Sequence, residues 1–348
     1  MSSLRTELRP GYSISRIIKG GWQLAGGHGS FDRRQAVADM LTFVDNGITT
    51  FDCADIYTGV EAMIGDAIKE LGNRDAFSAD DHIQVHTKLV PDLGKLATIT
   101  HLEIESIIDR SLKRLNLERL HLVQFFWWDL TIGDPLESFE ILKRLQRKGK
   151  IRYLGCTNWN QHCMQRFVDK NFDMVSAQVQ YSILDQRPNG QFNEWCNANK
   201  LQILCYGVLA GGFLTSQWLG KADPGFEFDN RSLIKYRLII EDFGGWELFQ
   251  QLMSTLNEIG LEHDVPLSAV ATRFMLDRSD VAAVIIGAKT AANIKDTLAA
   301  AKLELSDANT EAIENVIALR TGPRGLVYEL EGDRDGRHGR IMKYNLNS

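Results

Sequence analysis

The sequence predicts an α/β protein folded as a (β/α)8 TIM barrel, and two observations favour this fold class. Short apolar or β-branched runs alternate with segments of 3.6-residue apolar periodicity along nearly all 348 residues. Polar residues suited to chemistry end several different runs, as functional groups do at the C-terminal rim of a barrel. The alternative is a doubly wound dinucleotide-binding sheet, which needs G-x-G-x-x-G after its first strand. The N-terminal glycines read GGWQLAGGHGS, with a different spacing, so we favour the barrel.

Eight runs are the predicted strands of this barrel. In chain order they are Ser15–Gly20, Thr49–Asp52, Ile83–Lys88, Leu122–Phe126, Tyr153–Thr157, Ser176–Gln180, Gln202–Tyr206 and Ala283–Ile286. Amphipathic helix patterns such as Arg33–Asn46 and Pro135–Lys148 lie between them. The segment from Ser216 to Gly260 is too long for a plain connection, which predicts an insertion near the barrel mouth. The tail, roughly residues 320–348, is rich in glycine and charge and predicts a long C-terminal loop.

Composition and charge suit a single domain, residues 1–348, that binds neither nucleic acid nor a membrane. The chain is 44% hydrophobic and 24% charged, with a net charge of −6 and both signs interspersed. It shows no apolar signal segment and no run of membrane-spanning length, so we expect a cytoplasmic protein. The five cysteines show no metal-like spacing, which predicts reduced thiols and no metal site. We expect a small-molecule partner and a monomer or small homo-oligomer.

Asp52, Tyr57 and Lys88 carry the clearest chemical pattern. Asp52 and Lys88 end neighbouring predicted strands, where a carboxylate and an amine can form a buried ion pair. Such a pair can hold the Tyr57 hydroxyl and lower its pKa from the usual value of about 10. A phenol acidified in this way donates a proton to a carbonyl near neutral pH. On spacing alone, an ordinary ion pair with an exposed loop tyrosine is the alternative.

Five segments, in order, resemble the aldo-keto reductase family. They are FDCADIYTGVEAMIGDAI, GKIRYLGCTNWN, SAQVQYSIL, LCYGVLAGGFLT and VIIGAKTAANIKDTLAA, which together cover roughly residues 15–305. The resemblance implies the family's (β/α)8 barrel and an NADP-dependent oxidoreductase that reduces an aldehyde or ketone to an alcohol. It also implies that Asp52, Tyr57 and Lys88 are catalytic.

The resemblance further implies that the cofactor is NADP(H), with NAD(H) less favoured. Thr157, Asn158 and Gln178 are expected to hold the nicotinamide amide, and the aromatic face of Tyr206 to stack on its ring. Lys289 is expected to meet the 2′-phosphate, although lysine lacks the bidentate fork of arginine. The remaining expected cofactor-binding positions are Gly21, Trp22, Gly207, Val208, Leu209, Gly287, Ala288, Asn293 and Thr297.

One position departs from the family pattern. The histidine that orients the substrate carbonyl in the family corresponds to Phe126 in HLVQFFWWD. Phenylalanine donates no hydrogen bond, and loss of a donor to a developing oxyanion costs roughly a hundred- to thousand-fold in rate. His28 and His86 are the candidate replacements, although a surface His28 and a satisfied interior His86 are the favoured interpretations. The alternatives are altered or reduced turnover on the same cofactor, or an NADP(H)-binding sensor or regulatory protein. The intact acid and ion pair favour chemistry.

The predicted substrate pocket is aromatic. Trp22, His28, Phe126 and Trp127 line it, which suits an apolar or aromatic carbonyl. Trp128 is interpreted as core. The tail covers the pocket in the family, and here it carries a basic cluster: Arg334, Arg337, His338, Arg340 and Lys343. The cluster predicts either contact with a substrate carboxylate or phosphate, or a solvated run neutralised by Asp333 and Asp335, which we favour. Packing of the tail on a neighbouring subunit is a third possibility.

Overall fold

A computed structural model describes residues 4–74 and 83–346 of the chain. Two strands, β1 (Arg5–Arg9) and β2 (Tyr12–Ser15), form an antiparallel hairpin. Eight parallel strands then close into a barrel, which confirms the predicted fold class. They are β3 (Ile17–Gly20), β4 (Thr50–Asp52), β5 (Gln84–Leu89), β6 (Leu120–Phe125), β7 (Ile151–Thr157), β8 (Ser176–Gln180), β9 (Gln202–Tyr206) and β10 (Val281–Gly287). β10 pairs with β3 and completes the ring.

The described part of the chain also forms twelve α-helices, most of them packed around the strands. They are α1 (Arg33–Asp45), α2 (Val60–Arg74), α3 (His101–Leu115), α4 (Pro135–Arg147), α5 (Gln161–Val168), α6 (Gln191–Ala198), α7 (Arg231–Phe243), α8 (Gly245–Glu262), α9 (Leu267–Leu276), α10 (Ile294–Lys302), α11 (Asp307–Ala318) and α12 (Glu329–Gly332). Several begin at side-chain caps that the sequence shows directly. Thr100 and Glu103 form a reciprocal capping box at α3, and Asp134 caps α4 ahead of Pro135.

The hairpin corrects the first predicted strand. We expected one strand over Ser15–Gly20, but Ser15 ends β2 and the barrel strand begins at Ile17. Pro10–Gly11 is the turn signal that would have revealed the hairpin, and Gly11 adopts the positive φ of 76° that favours glycine. The other strands were predicted with ends within two residues. Leu8, Tyr12 and Ile14 of the hairpin pack on buried residues that include Ile18, Leu122 and Leu204 of the barrel strands.

The predicted insertion and the C-terminal loop both lie at the barrel mouth. The segment from Ser216 to Gly260 contains α7 and most of α8. Ser232 of α7 accepts a hydrogen bond from Trp22, which follows β3. The tail forms only α12 and one short turn of 3-10 helix among its described residues. It is tied to the barrel loops by an ion pair from Arg334 to Asp129. Among the residues described, no helix is both long and apolar enough to cross a membrane.

Candidate active site

Asp52 and Lys88 form the ion pair that the sequence predicts. The Lys88 ammonium lies 2.7 and 2.8 Å from the two carboxylate oxygens of Asp52. It also donates to the backbone carbonyl of Cys53 at 2.8 Å. Both side chains are almost fully buried, with 6% and 7% of their surface exposed. A charge pair at this depth persists because each charge neutralises the other and the ammonium has three oxygen acceptors.

Two barrel amides complete the surroundings of Asp52. Gln178 of β8 donates to Asp52 Oδ1 at 2.6 Å, and Gln124 of β6 donates to the same oxygen at 3.3 Å. Three strands besides β4 therefore place a donor on one carboxylate, which fixes its position in the barrel. No sequence pattern indicated the role of Gln124, whose amide oxygen is buried without a partner in the described structure.

Tyr57 lies beside this pair, and its environment corrects one prediction. The Lys88 ammonium is 5.3 Å from the centroid of the Tyr57 ring, and the Trp22 ring packs against the Tyr57 ring with centroids 5.1 Å apart. Burial raises the pKa of Tyr57 well above its usual value, and the charge of Asp52 raises it further. The expectation that the pair lowers this pKa is wrong here. The reason is that the Asp52 carboxylate cancels the effect of the Lys88 charge on the phenol, which leaves burial dominant.

The residues expected to hold the nicotinamide amide lie together at the ends of β7 and β8. The Thr157 hydroxyl donates to the Gln178 backbone carbonyl at 3.1 Å, and the backbone N–H of Asn158 donates to the same carbonyl at 2.9 Å. The hydroxyl of Tyr206 donates to Asn158 Oδ1 at 2.8 Å. Asn158 has a φ of 58°, so the chain turns sharply after β7 and presents this amide at the barrel mouth.

The ring of Tyr206 carries a neighbour that the sequence did not suggest. Lys235 of α7 places its ammonium 4.9 Å from the Tyr206 centroid and 5.5 Å from that of Tyr236. A cation over an aromatic face is an attractive contact. A flat ring that stacks on Tyr206 must therefore use the other face or displace Lys235.

The loops that follow β9 and β10 contain the residues expected to meet the cofactor phosphates. Gly207 has a φ of 78°, and a Cβ there would lie 2.5 Å from the Tyr236 hydroxyl, so α7 needs a glycine at this position. Lys289 donates to the backbone carbonyl of His28 at 3.0 Å, which joins the loop after β10 to the loop after β3. Asn293 precedes α10 without forming a side-chain cap. The remaining expected positions differ in exposure: Val208 is buried, Leu209, Ala288 and Thr297 are half-buried, and Gly287 is exposed.

Gly21 has a packing role. Its N–H donates to the Asp52 carbonyl at 2.8 Å, and a Cβ there would lie 2.6 Å from Val60 and 2.9 Å from that carbonyl. Glycine is required because the loop after β3 passes directly over the end of β4.

Neither candidate histidine replaces the donor missing at Phe126. His86 accepts or donates a hydrogen bond with Tyr12 of the hairpin at 3.1 Å, so its ring is engaged below Lys88. Burial lowers the pKa of His86 to about 3, and it stays neutral. His28 contacts Ser232 and the Gly26 carbonyl, each at 3.1 Å. His86 is interior as expected, but it is not fully satisfied, because its buried Nδ1 has no partner in the described structure. His28 is a half-buried loop residue tied to α7.

The two tryptophans after Phe126 exchange their expected places. Trp127 is 1% exposed and packs on Phe125 outside the barrel wall, with its indole N–H donated to the Ile132 carbonyl. Trp128 packs edge-on against Phe126 at 4.8 Å and against Tyr344 of the tail at 5.0 Å. Side chains alternate along a strand, so Phe126 and Trp127 face opposite sides. The pocket prediction for Trp127 is therefore wrong, and Trp128 takes the position near the mouth.

The basic cluster of the tail is paired with carboxylates outside the tail. Arg334 binds Asp129, while Arg337 and His338 both bind Asp242 at the end of α7. These three residues are therefore neutralised by carboxylates of the barrel loops and α7. The predicted contact with a substrate anion and the predicted neutralisation by Asp333 and Asp335 are both wrong for them. The pairs instead fasten the tail across the barrel mouth.

Tyr328 is a site residue that sequence reasoning missed. It stands just before α12, and its ring packs edge-on against Phe126 with centroids 5.6 Å apart. It lies in an irregular segment without periodicity, so no sequence signal marked it. Within the described residues, no group of three or more His, Cys, Asp and Glu side chains could hold a metal ion.

Comparison with known proteins finds relatives of this chain in one family of oxidoreductases. The sequence model of the Aldo/keto reductase family matches residues 16–318. Aldo-keto reductase YhdN of Bacillus subtilis (strain 168) is 26% identical, over 80% of this chain and 82% of its own length. The NADH-specific methylglyoxal reductase of Escherichia coli (strain K12) is 24% identical, over 85% of this chain and 93% of its own. The NADP(+) aldo-keto reductase yakc of Schizosaccharomyces pombe is 27% identical, over 82% and 83%.

Solved structures share the fold. The glycerol dehydrogenase AKR11B4 from Gluconobacter oxydans matches with a TM-score of 0.76 and 22% identity, covering 93% of this chain and 98% of that one. The thermostable aldo-keto reductase Tm1743, solved with the inhibitor epalrestat, matches with a TM-score of 0.70 and 22% identity, covering 90% and 100%.

Proposed function

The chain belongs to the aldo/keto reductase family, and we propose that it is an NADP(H)-dependent oxidoreductase that reduces an aldehyde or ketone with Tyr57 as proton donor. One observation carries the proposal. A buried Asp52–Lys88 pair with a 2.7 Å contact lies beside a tyrosine at the C-terminal ends of β4 and β5. That end of the strands is where barrel enzymes carry their active sites.

Three features support a nicotinamide dinucleotide as cofactor. The Asn158 side chain and the Tyr206 ring stand together beside the buried pair. Gln23 Oε1 is buried without a partner in the described structure, and the Gln23 side chain occupies the space beside Gly287. The first turn of α10 has no side-chain cap, which leaves N–H groups open to phosphate oxygens. Asn158 would hold the nicotinamide amide, Tyr206 would contact its ring, and the first turn of α10 would meet the phosphates.

The reduction needs a hydride and a proton. A reduced nicotinamide, which Asn158 and Tyr206 would hold, would supply the hydride. Tyr57 donates its hydroxyl proton to the carbonyl oxygen, and the product is an alcohol. Because burial keeps the pKa of Tyr57 high, the phenol carries its proton near neutral pH, and it transfers that proton as negative charge develops on the carbonyl oxygen. Asp52 and its two amide donors keep the Lys88 ammonium in place beside the Tyr57 ring.

The cofactor preference rests on Lys289. Its ammonium reaches the loop after β3, where it meets the His28 carbonyl. We propose that it turns to the 2′-phosphate of NADP(H). Relatives of this chain bear names that specify NADH in one case and NADP(+) in another, so the preference is a property of individual residues. A cytoplasmic location and a monomer or small homo-oligomer stay predictions.

The aromatic surroundings of Tyr57 support an apolar carbonyl substrate. Trp22 packs against Tyr57, and Phe126 packs against both Trp128 and Tyr328 of the tail. An apolar wall with few polar groups selects flat or apolar molecules.

A second candidate function follows from Phe126. Without a donor at that position, the chain would bind NADP(H) as a sensor or regulatory protein with little turnover. The buried acid and ion pair favour the reductase, because a sensor has no use for a proton donor.

Cofactor oxidation with a panel of aromatic and aliphatic aldehydes tests the proposal. We expect NADPH-dependent reduction that Tyr57→Phe abolishes and that Tyr153→Phe, at a ring packed against the hairpin, leaves intact. Lys289→Gln should weaken NADPH binding more than NADH binding. Tight NADPH binding without reduction of any carbonyl would favour the sensor. If Lys289→Gln lowers the affinity for NADPH and NADH equally, Lys289 does not bind the 2′-phosphate.

A further inference from the structure

Phe126 removes one of the two hydrogen bonds that a carbonyl oxygen would receive at this site. Its N–H donates to the Leu89 carbonyl at 3.1 Å, so the chain follows β6 in register and the ring faces the mouth. The ring is 3% exposed and contacts the edges of other aromatic rings. A residue packed against this ring is placed to supply the second donor.

Trp128 and Tyr328 both pack against Phe126, but the Trp128 indole N–H is already donated to the Pro91 carbonyl at 2.9 Å, which leaves Tyr328 as the donor. Its ring stands nearly perpendicular to that of Phe126, with an interplanar angle of 81° and centroids 5.6 Å apart. Its hydroxyl oxygen is buried and has no hydrogen-bond partner in the described structure. Buried hydroxyls nearly always have partners, so one without a partner requires an explanation. The other tail tyrosine at the mouth, Tyr344, differs because its hydroxyl donates to the Gly339 carbonyl at 2.7 Å.

The backbone holds Tyr328 in an uncommon conformation. Its φ of 63° lies in the left-handed region, which is rare for a bulky aromatic residue. α12 follows at once, and there Glu331 makes two hydrogen bonds of 2.8 Å to the guanidinium of Arg187. Asp185 holds the same guanidinium at 2.6 Å. This buried network fixes the turn that aims Tyr328, and backbone strain held in place in this way concentrates at functional sites.

The Tyr328 phenol keeps its proton in these surroundings. It is among the groups that raise the pKa of Tyr206, after burial, Glu331 and Tyr236. Burial raises the pKa of Tyr328 itself well above its usual value, with Glu331 adding to the effect. The hydroxyl therefore keeps its proton and remains a donor through neutral and mildly alkaline pH.

We propose that the Tyr328 hydroxyl is the second hydrogen-bond donor to the substrate carbonyl oxygen, in place of the side chain missing at Phe126. The inference rests on the proposed reductase function. Tyr57 transfers its proton to this oxygen, whereas Tyr328 keeps its own and stabilises the negative charge that develops there. The tail thus supplies the active site with a hydrogen-bond donor as well as a cover.

The direct test is Tyr328→Phe, which keeps the ring on Phe126 and removes only the hydroxyl. We expect kcat/KM for aldehyde reduction to fall roughly a hundred- to thousand-fold, as for loss of one oxyanion donor. NADPH affinity, measured by fluorescence titration, should not change. Tyr344→Phe is the matched control in the same tail and should keep full activity. In the Tyr328→Phe background, Phe126→His should restore part of the rate.

A second measurement does not depend on turnover. In a dead-end complex of the protein with NADP+ and 4-nitrobenzaldehyde, hydrogen bonds to the carbonyl oxygen lower its infrared stretching frequency. We expect Tyr328→Phe to raise that frequency relative to the wild-type protein and Tyr344→Phe to leave it unchanged. An unchanged frequency with unchanged kcat/KM would overturn the role of Tyr328 and show that its hydroxyl only packs or binds water.

The two proposals fail separately. If the wild-type protein reduces no aldehyde, the proposed reductase function is contradicted, and the infrared comparison still decides whether Tyr328 bonds to the carbonyl. If the wild-type protein is a reductase that Tyr328→Phe does not affect, only the proposed role of Tyr328 as donor is contradicted.

Discussion

The ammonium of Lys88 keeps its charge inside the barrel because three oxygens surround it. Two belong to Asp52 and one to the Cys53 backbone. The same pairing explains why the nearby Tyr57 is not acidified. An isolated ammonium would stabilise the phenolate, whereas an ammonium paired with a carboxylate offers the phenol little net charge. Sequence spacing identified the three groups but could not give the sum of their fields, which depends on distances and burial.

His86 illustrates how a buried group links stability to pH. Burial lowers its pKa to about 3 from an ordinary value of 6.5. Below pH 6.5 the unfolded chain takes up a proton that the folded protein refuses, so stability falls as the pH falls. The loss is about 1.4 kcal/mol per pH unit until the pH reaches the folded-state value.

His86→Gln should remove this part of the pH dependence because glutamine does not titrate and can still bond to Tyr12. Urea unfolding of wild type and variant between mildly acidic and neutral pH measures it, and the two curves should converge as the pH falls. The same substitution at His101, which is exposed on α3, is the control. Parallel curves for wild type and His86→Gln would show that His86 is not held neutral.

At the scale of elements, alternation along β6 determines which aromatic residues reach the mouth. The motif HLVQFFWWD shows four consecutive aromatics, and resemblance alone placed Trp127 in the pocket. The structure puts Phe126 inside and Trp127 in the outer layer, because successive side chains face opposite sides of a strand. Trp128 follows after the strand ends and turns back onto Phe126. Its place depends on loop geometry that no periodicity encodes.

The tail is held by two kinds of ion pair. Arg187 and Glu331 are 2% and 1% exposed and meet through two hydrogen bonds. Burial alone would raise the pKa of Glu331, but the bonds from Arg187 outweigh burial and lower it to about 2. Arg334 and Asp129 form the second kind, with Arg334 48% exposed.

Glu331→Gln should destabilise the protein by about 3–5 kcal/mol, because a buried guanidinium loses one of its two carboxylates. Arg334→Gln, the matched change at an exposed pair, should cost about 0–1 kcal/mol. Denaturant unfolding at neutral pH gives both free energies. Similar small losses for both variants would mean that the Arg187–Glu331 pair does not anchor the tail.

At the scale of the whole molecule, the repeated strand–helix pattern predicted the closed barrel only together with the polar residues at strand ends and the absence of G-x-G-x-x-G after the first strand. Position at strand ends was enough to predict the Asp52–Lys88 ion pair. The N-terminal hairpin was missed because its second strand ran into the first barrel strand in sequence. Lys235 and Tyr328 were missed for another reason. Each belongs to a segment outside the barrel repeat, and only tertiary packing brings α7 and α12 over Tyr206 and Phe126.

Single-turnover hydride transfer tests most directly whether Tyr57 donates a proton to a bound carbonyl. The protein is loaded with one equivalent of NADPH and mixed with excess aldehyde, and cofactor absorbance is followed. The wild-type protein should oxidise the bound NADPH at a rate that varies little from about pH 6 to 9, because the phenol stays protonated. Tyr57→Phe should bind NADPH equally well and leave it reduced. Equal rates in the two proteins would contradict the account.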